Sequence, residues 1–219
     1  ICRQLDSLPL AIELAAARVR HLSVEAIAAR LGDRFSLLSE GGSSEPRQQR
    51  LRVALDWSYN LLSEPERSCF RRLAVFAGGF TLHAAEEVLG EPGEPAPGQA
   101  GAIDLLAQLI DKSLVAAEQR PEGMRYRLLE TMRAYARDQL LASGEAEAIG
   151  ARHLAHFLRL AEQAEPQLVS GDQVAWLDQL AAEHANLRAA VDWATQRVGI
   201  VAALRLVTAL RYFWRVRGY

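Results

Sequence analysis

Between residues 113 and 130 the chain reads SLVAAEQRPEGMRYRLLE, and this stretch constrains the fold more than any other. Two short runs, SLVAAEQ and RYRLLE, flank the turn RPEG, which predicts two strands of a β-ribbon. The segments before it carry helical spacing, and a helix, TMRAYARDQLLAS, closes the region after it. Helices followed by a ribbon give the element order of a winged helix-turn-helix domain.

Caps and apolar spacing place the other elements. Pro9 has the fixed φ of a first helical turn, Asp6 or Ser7 can cap it, and Leu10, Leu14, Ala17 and Arg18 follow at helical spacing. HLSVEAIAARLGDRF predicts a second helix, capped by Ser23 and ended by Gly32, and SEGGSSEPRQQ (39–49) is a linker by composition. RLRVALDWSYNLL puts Leu51, Leu55, Tyr59 and Leu62 on one face. Ser63 and Glu66 form a capping box for EPERSCFRRLAVF, with Pro65 in its first turn. AGGF is a sharp turn, and Thr81 caps LHAAEEVLG. EPGEPAPGQAG (91–101), with three of the eight prolines, is an irregular loop. AIDLLAQLIDKS turns Ile103, Leu106, Leu109 and Ile110 inward.

From residue 143 onward the chain is helical throughout. One helix spans about 146–165 and ends near Pro166. DQVAWLDQLAAEHANLRAAVDWATQ is a second, with Val174, Leu177, Leu180, Leu187 and Val191 near one stripe, and IVAALRLVTALRYFWRVRG is a third. The fold class is mainly α: leading helices (1–44), a winged helix-turn-helix with a small β-ribbon (45–142), then antiparallel hairpins that open an α-helical repeat array (143–219). Trp176, Trp193, Phe213 and Trp214 read as packing residues of those hairpins, with a partner-anchoring role as the alternative.

Charge excludes a strongly basic module. Formal net charge is −2. Residues 45–142 carry twelve bases against fourteen acids, and the segments on either side are balanced. Cys2 and Cys69 have no metal or redox spacing, and Cys69, beside Phe70 and Leu73, reads as a buried structural thiol. No apolar run approaches the ~20 residues of a membrane span and no signal peptide is visible, so the expected compartment is the cytoplasm. A start at Ile1 and an end within FWRVRGY suggest an internal fragment.

Catalytic motifs are absent. The single lysine, Lys112, lies in LIDKSLV, where Asp111 occupies the place of a P-loop's second glycine. No nucleophile elbow, Cys-x-x-Cys or His-Glu-x-x-His occurs, and no catalytic or metal residue is assigned. His153 and His156 stand three apart on a helix, but no third ligand accompanies them, and they read as solvated helix residues. The acids Glu86 and Glu87 likewise read as a solvent face. Both candidate recognition helices, TLHAAEEVL and AIDLLAQLIDKS, are poor in base, and the wing's Arg120, Arg125 and Arg127 are offset by Glu118 and Glu122. A winged helix that packs on protein is expected rather than one that grips DNA.

Taken together, LDSLPLAIELAAARVR, LRVALDWSYNLLSEPERSCFRRLAVFAGGFTLHAAEEV, LLAQLIDKSLV, RYRLLETMRAYARDQL and AEHANLRAAVDWA resemble the STAND-type signal-transduction ATPases. These are relatives of NB-ARC proteins, found in large actinobacterial regulators of the LuxR and antibiotic-regulator kinds. The resemblance covers nearly the whole chain. It implies that a P-loop ATPase core precedes residue 1, that residues 1–44 are the helical lid ending that module, and that residues 143–219 begin tetratricopeptide-like repeats. Its Gly-Leu-Pro-Leu motif maps onto Ser7, Leu8, Pro9 and Leu10, with Ser7 in place of glycine. It implies that Pro9, flanked by Leu8 and Leu10, faces the nucleotide base. The family's Met-His-Asp motif aligns with Leu128, Leu129 and Glu130; Leu129 cannot donate a hydrogen bond to phosphate, and Glu130 instead suits the N-terminus of the closing helix.

The resemblance implies a regulatory role, in which nucleotide state and effector binding are coupled to an oligomerisation or activation switch. The resemblance assigns ATP or ADP, and with it a slow ATPase activity, to the full-length protein; the isolated fragment is expected neither to hydrolyse nor to hold the nucleotide tightly. Expected partners are the upstream ATPase core, a protein or small-molecule effector on the helical repeats, and DNA through another domain, with no membrane. The alternatives are a winged-helix DNA-binding repressor and an interaction scaffold without nucleotide.

Overall fold

The computed structural model describes residues 9–20, 22–29, 46–90, 101–120, 123–198 and 200–219. Helix α1 (Pro9–Ala17) tightens into a 3-10 turn at Arg18–Arg20, and α2 covers 24–29, capped by the Ser23 hydroxyl, which accepts from Ala26 N–H at 3.2 Å. The proposed caps Asp6 and Ser7, Cys2, and the helix end at Gly32 lie outside the described residues.

Helix α3 (Pro46–Asn60) begins inside the stretch that composition assigned to a linker, because Pro46 supplies a helix start there. It is buried on two sides. Ala54 and Trp57 pack with Ala15 and Ile27 of the leading helices, while Leu55 joins the main core. Helix α4 (Glu64–Arg72) starts at the expected box: Ser63 donates to Glu66 Oε2 from its backbone (2.8 Å) and its hydroxyl (3.0 Å). A 3-10 turn (Leu73–Val75) leads to the AGGF turn and to α5 (Leu82–Leu89), where Thr81 Oγ1 accepts from Ala84 N–H.

Helix α6 (Ala102–Asp111) buries Leu106 and Leu109, but Ile103, expected inward, is 55% exposed. Helical spacing fixes a face, not the turn at which packing begins, and Ile103 sits in the first turn. The ribbon is β1 (Ala116–Arg120) and β2 (Gly123–Arg127), antiparallel, pairing Ala117 with Tyr126. It starts at Ala116 rather than Ser113, since Ser113 adopts a positive φ of 57° and Leu114 and Val115 drop into the core. Phe80 adds a third, single-residue strand position, exchanging backbone hydrogen bonds with Tyr126 at 2.8 and 2.9 Å. Helix α7 (Glu130–Ala142) closes this unit.

The C-terminal helices depart from expectation at two points, one helix break and one residue on the expected stripe. Helix α8 (Ala146–Gln167) carries Pro166 in its last turn. The expected second helix is two: α9 (Gln173–Ala182) and α10 (His184–Trp193), broken at Glu183, whose φ and ψ are −97° and 4°. Val174, placed on the buried stripe by spacing, is 68% exposed in the first turn of α9, whereas Leu177, Leu180 and Leu187 are buried. Beyond α10 the chain widens into a π-turn (Ala194–Val198) before α11 (Ile200–Arg217).

One apolar core runs through both regions. Phe70, Leu73, Leu106 and Met132 from the winged helix join Phe157, Leu180, Leu206 and Phe213 from the helical array. Phe76 sits at the join, stacked on Phe80 (4.6 Å) and edge-on to Phe157 (6.4 Å). Of the aromatic anchors, Phe213 is fully buried, and Trp176, Trp193 and Trp214 pack partly buried against the same core.

Candidate functional site: the wing and its junction with the helical array

Of the motif taken as a nucleotide contact, Pro9 is the exposed first residue of α1. Leu8 and the Leu10 side chain lie outside the described residues. Leu128 is buried, Leu129 is partly buried against the core, and Glu130 opens α7 with its carboxylate on Arg133 at 2.8 Å. The Arg133 hydrogen bond holds the Glu130 pKa below the ordinary range.

Of the two candidate recognition helices, α5 exposes His83, Glu86 and Glu87, α6 exposes Asp104, Ala107, Gln108 and Asp111, and neither exposes a Lys or Arg. Lys112, just past the end of α6, is held by the buried Glu66 carboxylate. Burial alone would raise the Glu66 pKa, yet hydrogen bonds from Lys112 and Ser63 carry it below the ordinary value. The lone lysine is therefore a core tether.

Arg125 was read as a wing cation, but it points inward. Its guanidinium meets Glu183 Oε1 at 2.5 Å and donates to the carbonyls of Gly79 (2.7 Å) and Ala182 (3.3 Å). Asn186 completes the network: its Oδ1 accepts from Ala77 N–H at 2.9 Å, and its Nδ2 donates to Gly79 O and to Glu183 Oε2. The break between α9 and α10 thus falls where Glu183 turns to the wing base. Each carboxylate oxygen of Glu183 and both ends of the Asn186 amide are engaged, as burial demands.

Two further clasps join the regions. Glu145, just before α8, takes Arg71 Nε at 2.5 Å and Arg72 through Nη2 at 2.5 Å. Burial alone would raise its pKa, but those two arginines hold it down at about 2. Glu87, read from sequence as solvent-facing, receives His156 Nδ1 and Arg159 Nη2, both at 2.5 Å, and so ties α5 to α8. His153 is also a correction: it is 2% exposed, edge-on to Phe76 and 4.6 Å from Phe157. Burial pushes its pKa down to about 3, with the nearby His156 adding to the effect and Asn186 opposing it. It is one turn from His156, yet no group of three His, Cys, Asp or Glu able to hold a metal occurs among the described residues. Cys69 is buried as expected, and burial pushes its thiol up to about 12.

Sequence reasoning found the wing and missed its anchorage. Arg125 looked like any ribbon arginine, and its partner lies 58 residues later in a segment of unbroken helical pattern. Nothing in local spacing identifies such a pair.

Comparison with known proteins agrees with this geometry. Residues 62–141 match the family described as a winged helix-turn-helix domain. The chain is 43% identical, over its full length, to a protein of Mycobacterium tuberculosis provisionally named an HTH-type transcriptional regulator, and equally to one from Mycobacterium bovis. It covers 24% of each. An uncharacterized protein of Mycobacterium tuberculosis is 46% identical over 71% of this chain, which covers 39% of that protein. Among the described residues no helix is long and apolar enough to cross a membrane.

Proposed function

We propose that this chain is a regulatory section of a longer transcriptional regulator, in which the winged helix serves as a protein-packing module between a nucleotide-binding core and a helical effector array. Its homology to larger proteins named as HTH-type regulators, of which it spans 24%, supports the regulatory role. The observation that carries the packing role is the buried Arg125–Glu183 pair, which commits the base of the wing to the helical array. A rigid joint of this kind transmits a change at one end to the other. A nucleotide or effector shifts such a device only through different affinity for its two arrangements. In this reading ATP or ADP is held mainly by a core outside residues 1–219, Pro9 touches the base, and DNA is contacted by another domain.

A second reading follows from the family of residues 62–141: direct DNA binding by the winged helix, with the exposed Arg127 of β2 and Arg120 at the end of β1 reaching phosphate. Arg120 is already turned toward Glu118 at 3.2 Å, and the acidic face of α6 opposes approach to a polyanion.

A mobility-shift titration of residues 1–219 against promoter duplexes, run at several salt concentrations, separates the two. The packing reading expects no sequence preference and only weak retention at low salt. Sequence-specific retention with a steep salt dependence that Arg127→Gln weakens would establish the second reading instead.

A further inference from the structure

Helices α7, α8 and α10 enclose a cavity of about 340 Å³ between the winged helix and the array. That is within the range of small-ligand sites, about 300–1,000 Å³. Its lining combines Arg133 and Arg137 of α7, His153 of α8, Trp193 at the end of α10 and Arg197 in the π-turn, over an apolar side that includes Leu140.

Three observations set the chemistry. First, the wall brings together the guanidinium groups of Arg133, Arg137 and Arg197 with the carboxylates of Glu147 and Asp192. Arg133 is engaged by Glu130 and Arg197 lies 3.4 Å from Glu147, but Arg137 makes no ion pair among the described residues. Arg133 and Arg137 stand four apart on one helix face, close enough for one anion to meet both. Second, His153 is 2% exposed and its Nε2 has no hydrogen-bond partner. A neutral imidazole has one donor and one acceptor nitrogen, and here the polar atom left unmatched in the wall is Nε2. Third, the Trp193 indole packs so close to Gly150 that a Cβ there would overlap Nε1 and Cε2. The ring thereby forms a broad apolar wall facing the same space.

We propose that this cavity binds a small organic monocarboxylate with an apolar or aromatic body. The carboxylate would lie between the arginines of α7 and Arg197, and the body against Trp193 and Leu140. A single negative charge suits the one guanidinium here without an ion pair among the described residues, that of Arg137. The carboxylates of Glu147 and Asp192 in the wall disfavour a phosphate dianion. Because the walls come from both regions, the ligand would fasten the winged helix to the array. The site does not depend on the switch reading, since its test measures binding and involves neither nucleotide nor DNA.

Residues 1–219 are titrated at constant ionic strength with benzoate, phenylacetate and hexanoate to about 10 mM, a range in which millimolar affinity registers. Tryptophan fluorescence is followed, with Trp193→Phe assigning the signal. At least one carboxylate is expected to give a saturable change carried by Trp193, which Arg137→Gln weakens by about tenfold and Arg211→Gln, on the exposed side of α11, leaves alone. Phenylacetamide should bind at least tenfold more weakly than phenylacetate. No saturation by any of the three acids, equal binding of the amide, tighter binding of inorganic phosphate, or an Arg137→Gln variant that binds normally would each overturn the proposal.

Discussion

Arg125 and Glu183 meet at 2.5 Å with side chains only 10% and 7% exposed, so a strand of the wing and a helix break 58 residues later are fixed by one buried ion pair. The pair has little water to fall back on. Removing one partner strands the other charge in a low-dielectric space, which costs far more than losing a surface pair.

Glu183→Ala should therefore destabilise the chain by about 3–5 kcal/mol, the range for breaking a buried pair from one side. Removing both charges, in Arg125→Leu with Glu183→Leu, should recover much of that loss. Gly79 O keeps its hydrogen bond from Asn186 when Arg125 is gone. Urea unfolding of Arg125→Leu, Glu183→Leu and the variant carrying both gives the coupling directly. Additive losses would show that the two side chains do not depend on one another.

Two buried or clasped groups give stability an acid-side slope, in windows that overlap only between pH 4.5 and about 3. His153 has a pKa of about 3 because burial disfavours its imidazolium, against 6.5 when solvated. Below pH 6.5 the unfolded chain takes a proton that the folded chain refuses, so stability falls from there toward pH 3. Glu145 is held at about 2 against an ordinary 4.5, and its contribution is present above pH 4.5 and lost as the pH falls toward 2. Each group adds at most about 1.4 kcal/mol per pH unit to the slope. His153→Phe should flatten the profile of urea midpoints between pH 6.5 and 4.5, and Glu145→Gln should flatten it below 4.5. A wild-type slope retained in His153→Phe would mean that the imidazole titrates freely in the folded chain.

What the sequence discloses here is what local chemistry decides. Ser23, Thr81 and the Ser63–Glu66 box sit where caps are needed, because a cap satisfies N–H groups two or three residues away. The ribbon was legible for the same reason, its two strands being joined by a short turn. Glu183 was not: glutamate is a good helix former, the apolar stripe from Leu177 to Leu187 continues across it, and the break depends on a distant arginine. His153 was misplaced because its burial is supplied by Phe76 of the other region. Arg137 beside a cavity was equally invisible, since the cavity's walls come from separate helices.

The exposed Pro9 at the start of α1 gives the nucleotide reading its own test. In a longer chain that contains the nucleotide-binding core, Pro9→Ala should speed release of bound ADP several-fold. The helix should survive, because alanine is the best helix former and an N1 position has no intrahelical N–H bond to lose. Stopped-flow release of a fluorescent ADP analogue, with circular dichroism as the control for folding, reads both effects. Unchanged release would return Pro9 to the plain role of a helix starter.

Gly150 supplies the sharpest packing prediction. Any Cβ at this position overlaps the Trp193 indole, so the ring must shift away from α8 to admit one. Gly150→Ala should gain helix propensity worth about 1 kcal/mol and lose more than that to overpacking, which typically costs about 1–3 kcal/mol. The net effect is a modest loss of stability together with a red-shifted Trp193 emission as the indole moves toward water. Trp193→Leu should reverse the sign: with the indole gone, Gly150→Ala becomes stabilising by the propensity term alone. A Gly150→Ala variant more stable than the parent in the presence of Trp193 would mean that the ring stands clear of α8, and the broad apolar wall of the cavity would go with it.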